Sequence, residues 1–491
     1  PSKKAAPVEY VKVCPTYGPG FFYIPGTTTC LKVGGYAEFN YYAINRYTVS
    51  NGNGALSGVT TSPILPSRTD ATNGHVTGRV TLDARDNTEY GIARAFVRIQ
   101  WDRSSGSDDN SGSQPRRGQM FGQQSSGAFA NLQTGFYGSE AYLQLGGLTV
   151  GRTTSFAWVG NPSLQFTTQN PSNGRVNQAA YTAALGNGMS ITAAIEDAAE
   201  LREGVYGATF TTGSSAISVA TATSSTITNR SVLNQSTTAP YAVTWVAATS
   251  PISVGSVVWN STPATQYYPQ PSKMPDGVIS FDVAQSWGSI KVAGVYHRVG
   301  GFDVSTITGA NGYAGMAGVK INLPMIAAGD YLNLHGAYAE GAAARTIGNV
   351  ATDTSPVQNA SFGMGNAPWA GYDAVVVNGK LKLSTSYSFG GEFKHYFTPK
   401  VAAYVGATYG AIRYGSGKNY TATTAQDPHD ADMWGAAVGV IWTPISNFEV
   451  NPEVAYRKSD VKSATGINNG YHTGVKNDDQ WIGRMRVARS F

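Results

Sequence analysis

Long apolar runs are missing from this 491-residue chain. Mean hydropathy is −0.20, and no stretch of about 18 uncharged apolar residues occurs, which excludes a transmembrane helix. Helical periodicity with capping signals is also nearly absent. Charge is scarce, at 13% of residues, and the basic residues are scattered with strand periodicity, so the net charge of +5 does not indicate a nucleic-acid partner. The six histidines, at 75, 297, 335, 395, 429 and 472, are dispersed, and there is no HExxH, GxSxG, P-loop or CxxC. No metal, cofactor or catalytic centre is therefore expected. His335, in NLHGAY, is the residue an outer-membrane barrel hydrolase would use on its lipid-facing side near the outer rim. A polar strand residue explains it better.

Glycine and tyrosine are abundant instead. The 58 glycines exceed the usual share of about 7%, and 28 tyrosines accompany them. Gly- and Tyr-rich sequence of period 2, interrupted by Asn, Ser and Gly turns, is the pattern of a β-barrel. At this length a soluble protein would suggest roughly three domains, without this uniform texture. Residues 480–491, QWIGRMRVARSF, place Trp481, Gly483, Met485 and Val487 on one face and Arg484, Arg486 and Ser490 on the other. The chain given stops on Phe491. A free strand edge cannot exist in lipid, so this strand needs a partner. Residues 30–42, CLKVGGYAEFNYY, alternate in the same way and are expected to pair with it, closing a barrel. In WGAAVGVIW, Trp434, Ala436, Val438, Val440 and Trp442 share a face with a tryptophan at each end. That span corresponds to about 20 Å of height once a tilt of about 40° is applied, close to an apolar band between aromatic girdles.

The only two cysteines, Cys14 and Cys30, precede the wall. Two free thiols are one reading. The turn-forming CPTYGPGFFYIPGTTTC between them, in an exported chain, favours a disulfide. No signal peptide is visible, and Pro1-Ser2-Lys3-Lys4 reads as a mature or trimmed terminus. Along the chain, strands over 76–86 and 91–102 flank a turn at 87–90, strands over 137–145 and 148–152 meet at Gly146-Gly147, and a further pair turns at Gly186-Asn187-Gly188. Long polar segments separate these pairs. Short turns on one side and long loops on the other are the asymmetry of an outer-membrane barrel.

Residues 8–42, with the spacing of Cys14 and Cys30, the FYIPG turn and the first strand arriving together, resemble the alphaproteobacterial, rhizobial-type general outer-membrane porins. EAYLQLGGLTVGR (140–152), MPDGVISFDVAQSWGSIKVAGVYH (274–297) and the closing RSF resemble them too. The resemblance implies an all-β, transmembrane antiparallel barrel of sixteen strands in the Gram-negative outer membrane. It also implies a homotrimer, contact with outer-membrane lipids including lipopolysaccharide, and passive passage of small hydrophilic solutes and ions. The aromatic end, Phe491, resembles the signal that the outer-membrane insertion machinery reads. The expected division is an N-terminal periplasmic segment, 1–29, and a barrel, 30–491, with a third, constriction loop at 153–175 and a large fourth external loop at 198–273. A candidate hairpin over 241–248 and 252–259 would raise the count to eighteen strands, as in a substrate-preferring channel. A secreted β-rich adhesin is the reading from another class.

The inward faces carry the candidate pore-lining residues: Lys32 and Glu38; Arg79, Asp83 and Arg85; Arg94 and Arg98; Glu140; and Arg484 and Arg486. A turn centred between Thr88 and Glu89 sets Asp83 opposite Arg94, ordinary compensation, and Arg79 opposite Arg98, two like charges. Structural pairing with Glu38, Asp83 and Glu140 is the alternative role for these cations. In the resembled family, acids on the third loop face the basic wall. Here that loop, TTSFAWVGNPSLQFTTQNPSNGR, has no Asp or Glu. A wall neutralised only in part, by Asp83 and Glu38, leads to an expected weak to moderate anion preference. Asp108, Asp109, Asp427, Asp430 and Asp432 are the external acids that would oppose it.

Overall fold

The computed structural model describes residues 12–44, 72–106, 132–159, 174–197, 201–202, 204–209, 265–268, 274–300, 308–347, 372–377, 380–415, 430–462 and 477–491. Sixteen antiparallel strands among them close into one barrel. They are β1 Cys30–Ile44, β2 Thr72–Thr88, β3 Gly91–Gly106, β4 Leu132–Leu145, β5 Leu148–Thr154, β6 Arg175–Gly186, β7 Met189–Glu196 and β8 Asp276–Gln285. The second half comprises β9 Gly288–Val299, β10 Ala310–Asn322, β11 Tyr331–Glu340, β12 Thr385–Thr398, β13 Val401–Arg413, β14 Ala431–Trp442, β15 Phe448–Val461 and β16 Asn477–Ser490. Each strand pairs with its neighbours in sequence. β16 pairs with β1 from Ser490↔Tyr36 to Ile482↔Ile44, the closure that the two alternating ends predict. The candidate hairpin over 241–259 lies outside the described residues.

Alternation decides what each face meets. On β14, Trp434, Val438, Val440 and Trp442 point outward and are 39–53% exposed, while Ala437 on the inner face is buried. Val80, Val97, Leu143, Ile279, Val405 and Val454, on other strands, are exposed in the same way. The exposed apolar belt runs around the wall, an arrangement suited to lipid and costly in water. Near the end of the barrel that carries the long connections, Trp434, Tyr456 and Trp481 stack in sequence across β14, β15 and β16, with ring centroids 5.1 and 4.9 Å apart.

Turns of two residues, Glu89-Tyr90, Gly146-Gly147, Asn187-Gly188 and Ser286-Trp287, lie at one end of the barrel. The Asn187-Gly188 turn needs its glycine: φ is +72°, and an added Cβ would fall 2.0 Å from the Ala284 carbonyl oxygen. All long connections leave from the opposite end. Two of them contribute a small satellite sheet, in which Val205–Thr209 pairs with Thr265–Tyr268 and, in parallel, with Ala374–Val377, itself paired with Lys380–Leu383.

The β2–β3 register differs from the sequence expectation by two residues. Arg79 pairs with Gln100, Thr81 with Arg98, Asp83 with Phe96 and Arg85 with Arg94. The turn sits later because Thr88 closes it: its hydroxyl donates to the Gly91 carbonyl at 2.7 Å and accepts from the Tyr90 amide at 3.2 Å. Arg79 is thus not set against Arg98.

At the short-turn end, Cys14 and Cys30 form a disulfide with Cα atoms 6.0 Å apart. Both sulfurs' residues are buried with Phe21, and the short strand Phe21–Tyr23 pairs with Cys30–Lys32. Tyr17 donates to Asn87 at 2.8 Å and Thr29 to Asp86 at 2.9 Å, so the stapled segment caps the β2 end. Closing a loop of this length restricts the unfolded chain by about 3 kcal/mol. Replacing both cysteines with serine should lower the urea midpoint of barrel unfolding by a corresponding amount and leave single-channel conductance unchanged. A conductance change would place this segment in the conduction path.

Candidate functional site

The interior is divided into two unlike halves. The first is the charged wall made by β15, β16 and β1 to β4, where the inward positions carry ion pairs linked along and across strands. Asp83 receives Arg85 at 2.7 Å and Arg94 at 2.9 Å, so the like charges that face each other across β2 and β3 share one carboxylate. Arg98 pairs with Glu140 at 2.6 Å, and Glu140 also receives Arg175. A bulge at Ser139, opposite the Arg98–Ile99 step, accompanies the inward turn of Glu140. Arg486 bridges Glu38, at 2.8 Å, and Glu449. Arg484 donates to Asn451 at 2.6 Å and contacts Glu453 at 3.3 Å. Lys32 sits over the Phe21 ring, 5.8 Å from its centroid, towards the stapled segment.

Arg79 is different. Its guanidinium gives two hydrogen bonds, at 2.9 and 2.5 Å, to the neutral amide oxygen of Gln100 and lies 4.5 Å from the centroid of Tyr36. Among the described residues, no carboxylate lies within ion-pair distance of it. The wall is therefore far more compensated than Asp83 and Glu38 alone allow. The missed acids are Glu449 and Glu453. FEVNPEVAY sets Glu449, Asn451 and Glu453 at period 2 on one face of β15, so the signal was present in the alternation.

The second half, β7 to β11, carries a cluster of small apolar residues beside buried polar ones such as Thr192, Ser280 and Asn333. Ala194, Val278, Ala293, Val295, Ala314, Met316, Ala337 and Ala339 form one buried cluster with Ala157 and Val159, and Phe156 packs against it. The third long connection thus turns into the barrel at its start and lies on this wall. A second inner segment follows β11. Its one-turn helix, Ala344–Ile347, is buried throughout, and Ala344 packs with Val176 of β6 and Leu201. Thr346 donates to Ser386 at 2.6 Å, and its carbonyl accepts from Ser388 at the same distance, both on β12. The segment therefore spans from β6 to β12 at the long-connection end.

Arg345 locks these parts together. It is 1% exposed and donates to Glu196 at 3.0 Å, Asp276 at 2.7 Å and Ser155 at 3.1 Å. Ser155 and the Phe156 amide also donate to Glu196. His297 sits between Asp276 at 2.7 Å and Asp373 at 3.4 Å. Burial works against the Arg345 charge, but the carboxylates of Glu196 and Asp276 outweigh it and raise its pKa. Sequence reading missed Arg345, which stands alone in the unpatterned stretch GAAARTI. His335 points inward and is buried, so it does not occupy the lipid-facing position that a hydrolase reading requires. Asp432 lies at the rim, joined to Arg413 and to Lys462 at 2.9 Å; positions 108, 109 and 427 lie outside the described residues.

Removing one partner from a buried ion cluster leaves uncompensated charge, at a cost of about 3–5 kcal/mol. Arg345→Met should detach the inner segments from the β7–β11 half. The expected readout is a higher single-channel conductance with noisier open states; an unchanged, quiet conductance would mean that these segments do not restrict flow.

Comparison with known proteins adds the relationships. The family described as "Porin subfamily" matches residues 2–484. "Porin Omp2b" of Brucella suis biovar 1 (strain 1330) is 31% identical over 208 residues, covering 41% of this chain and 49% of the relative. "Porin Omp2b" of Brucella canis is 30% identical over the same length and shares. The chain thus spans about half the length of the curated relatives it matches. Among solved structures, the outer membrane channel DcaP of Acinetobacter baumannii is similar with a TM-score of 0.54 at 12% identity, covering 96% of this chain and 99% of that one. That likeness is one of fold alone.

Proposed function

The chain belongs to the Porin subfamily, and from that premise we propose that it is a general diffusion porin: a water-filled channel for passive passage of small hydrophilic solutes and ions. Its place is the outer membrane. The observation that carries the reading is the pairing of an apolar, exposed outer belt with an inner wall of ion pairs, closed without a free edge. A sixteen-stranded barrel of this kind has room for an aqueous passage. No turnover step enters, and the chain is read as a channel rather than an enzyme. Function then reduces to the width of the passage and the charges along it.

The inner segments on β7–β11 leave the charged wall as the face that solutes meet. Lys32, Glu38, Arg79, Asp83, Arg85, Arg94, Arg98, Glu140, Arg484 and Arg486 are proposed to line it. The assembly is proposed to be a homotrimer in contact with lipopolysaccharide and other outer-membrane lipids. Phe491 is proposed as the residue that the insertion machinery reads. Its amide donates to the Gly35 carbonyl at 3.0 Å and its carbonyl accepts from the Gly35 amide at 3.2 Å, which supports a role in the seam as well.

A weak anion preference is retained, now resting on Arg79 rather than on a broad basic wall. One charge about 8 Å from a passing ion in water changes its local concentration by about twofold. The same charge repels cations as much as it attracts anions, so Arg79→Gln should lower the anion-to-cation permeability ratio by the square of that factor, about fourfold, at low salt. Near 1 M salt, where the Debye length is about 3 Å, wild type and variant should converge. Reversal potentials in a salt gradient across planar bilayers measure both. A clearly cation-selective wild type would remove the anion preference while leaving the porin reading intact.

A further inference from the structure

On the charged wall lies a cavity of about 380 Å³ lined by Tyr36, Glu38, Lys394, Ile441, Glu449, Asn451, Arg484 and Arg486. We propose that it is a recognition site for small zwitterions of the amino-acid type, compounds with one ammonium and one carboxylate. This deepens the porin reading and rests on it, since the cavity opens on the passage.

The charges are arranged to favour such a solute. Arg486 is the shared partner of two carboxylates, Glu38 and Glu449, which leaves one negative charge in excess at that edge. The strand register explains the sharing. Arg486 lies directly opposite Asn40 on one side and Asn451 on the other, so it reaches diagonally to the acids two positions along each neighbouring strand. Arg484 and Glu453 form a contact of their own at 3.3 Å. Lys394, from β12, brings a positive charge to the same cavity. Its ammonium lies 5.1 Å from the Tyr396 centroid and 6.0 Å from that of Tyr331, and no carboxylate among the described residues is within ion-pair distance of it.

The cavity therefore holds a surplus negative edge and a surplus positive group, with Ile441 and the Tyr36 ring as apolar surfaces between β12 and β1. An ammonium group is attracted to Glu38 and Glu449, and a carboxylate to Lys394. A pure anion gains only the second contact and is repelled by the first edge. A pure cation meets the reverse. The volume is ample for an amino acid with water retained around it. Recognition of this kind is weak, because both charges stay partly hydrated, and weak binding is what passage requires.

The test uses three solutes of one skeleton on the full-length channel in planar bilayers: L-alanine, L-lactate and L-alaninamide. Partial, saturable block of the ion current is read as a function of solute concentration. L-alanine is expected to half-block at a concentration about fivefold below the other two, the difference that one partly screened ion contact supports. Lys394→Met should abolish the advantage over alaninamide, and Glu449→Gln the advantage over lactate, each variant still conducting. Equal block by all three solutes in the wild type, or no saturable block by alanine, would overturn the proposal while leaving the porin reading standing. Absence of any conducting channel would overturn both.

Discussion

Lipid offers no hydrogen-bond partner to a peptide group, and every feature of this chain follows from that constraint. Strands cross the membrane only when both edges of each are paired. The seam between β16 and β1 is thus the interaction on which the other fifteen pairings depend. Tyr36 to Ile44 meet Ser490 to Ile482, and the Gly35–Phe491 backbone pair extends the seam beyond the last strand residue. Gly35 is suited to that position, since a Cβ there would fall 2.1 Å from the Arg79 carbonyl oxygen and 2.8 Å from the Phe491 ring.

Closure forces alternate side chains inward, where the problem changes from exposing apolar surface to accommodating charge. Two solutions occupy opposite halves of the lumen. Along β15, β16 and β1 to β4, cations and carboxylates pair along a strand, directly across it or diagonally, so that Asp83 serves two arginines and Arg486 serves two acids. Some of these pairs, such as Arg486 with Glu38 and Glu449, remain partly hydrated, while Arg484 and Glu453 are buried. Along β7 to β11 the inner positions include an apolar cluster of alanine, valine and methionine covered by Phe156, Ala157 and Val159, beside buried polar residues such as Thr192, Ser280, Asn333 and His335. The Arg345 cluster holds that cover in place. Its members are buried, where losing a partner costs far more than losing a surface pair.

The asymmetry of the lumen has a functional reading. A barrel lined equally by charge on all sides would be wide and weakly discriminating. On the proposed porin reading, covering one half would set the aqueous passage against the other, with solutes within reach of Arg79, Lys394 and the glutamates of β15. On that reading, width would be governed by the inner segments and discrimination by the wall. Separate residue sets carry the two properties, which allows one to change without the other.

Period-2 alternation, the tryptophans at both ends of β14 and the matching patterns of β1 and β16 were sufficient to read a closed transmembrane barrel, because these are properties of single strands in a fixed solvent. The disulfide between Cys14 and Cys30 was legible from the turn-rich segment between them. The β2–β3 register was not, because Thr88 closes its turn through side-chain bonds that shift the pairing by two residues. Glu449 and Glu453 showed in the alternation of β15, but their partners, Arg486 and Arg484 on β16 and Tyr404 on β13, depended on registers between strands. Arg345 left no pattern at all. Its meaning arises from Glu196, Asp276 and Ser155, up to 190 positions away in sequence, and only the folded barrel brings them within hydrogen-bond distance. The sequence determined which residues face lipid, since one face against one solvent is a local property. Which charges neutralise one another is a relation between strands that the tertiary structure alone decided.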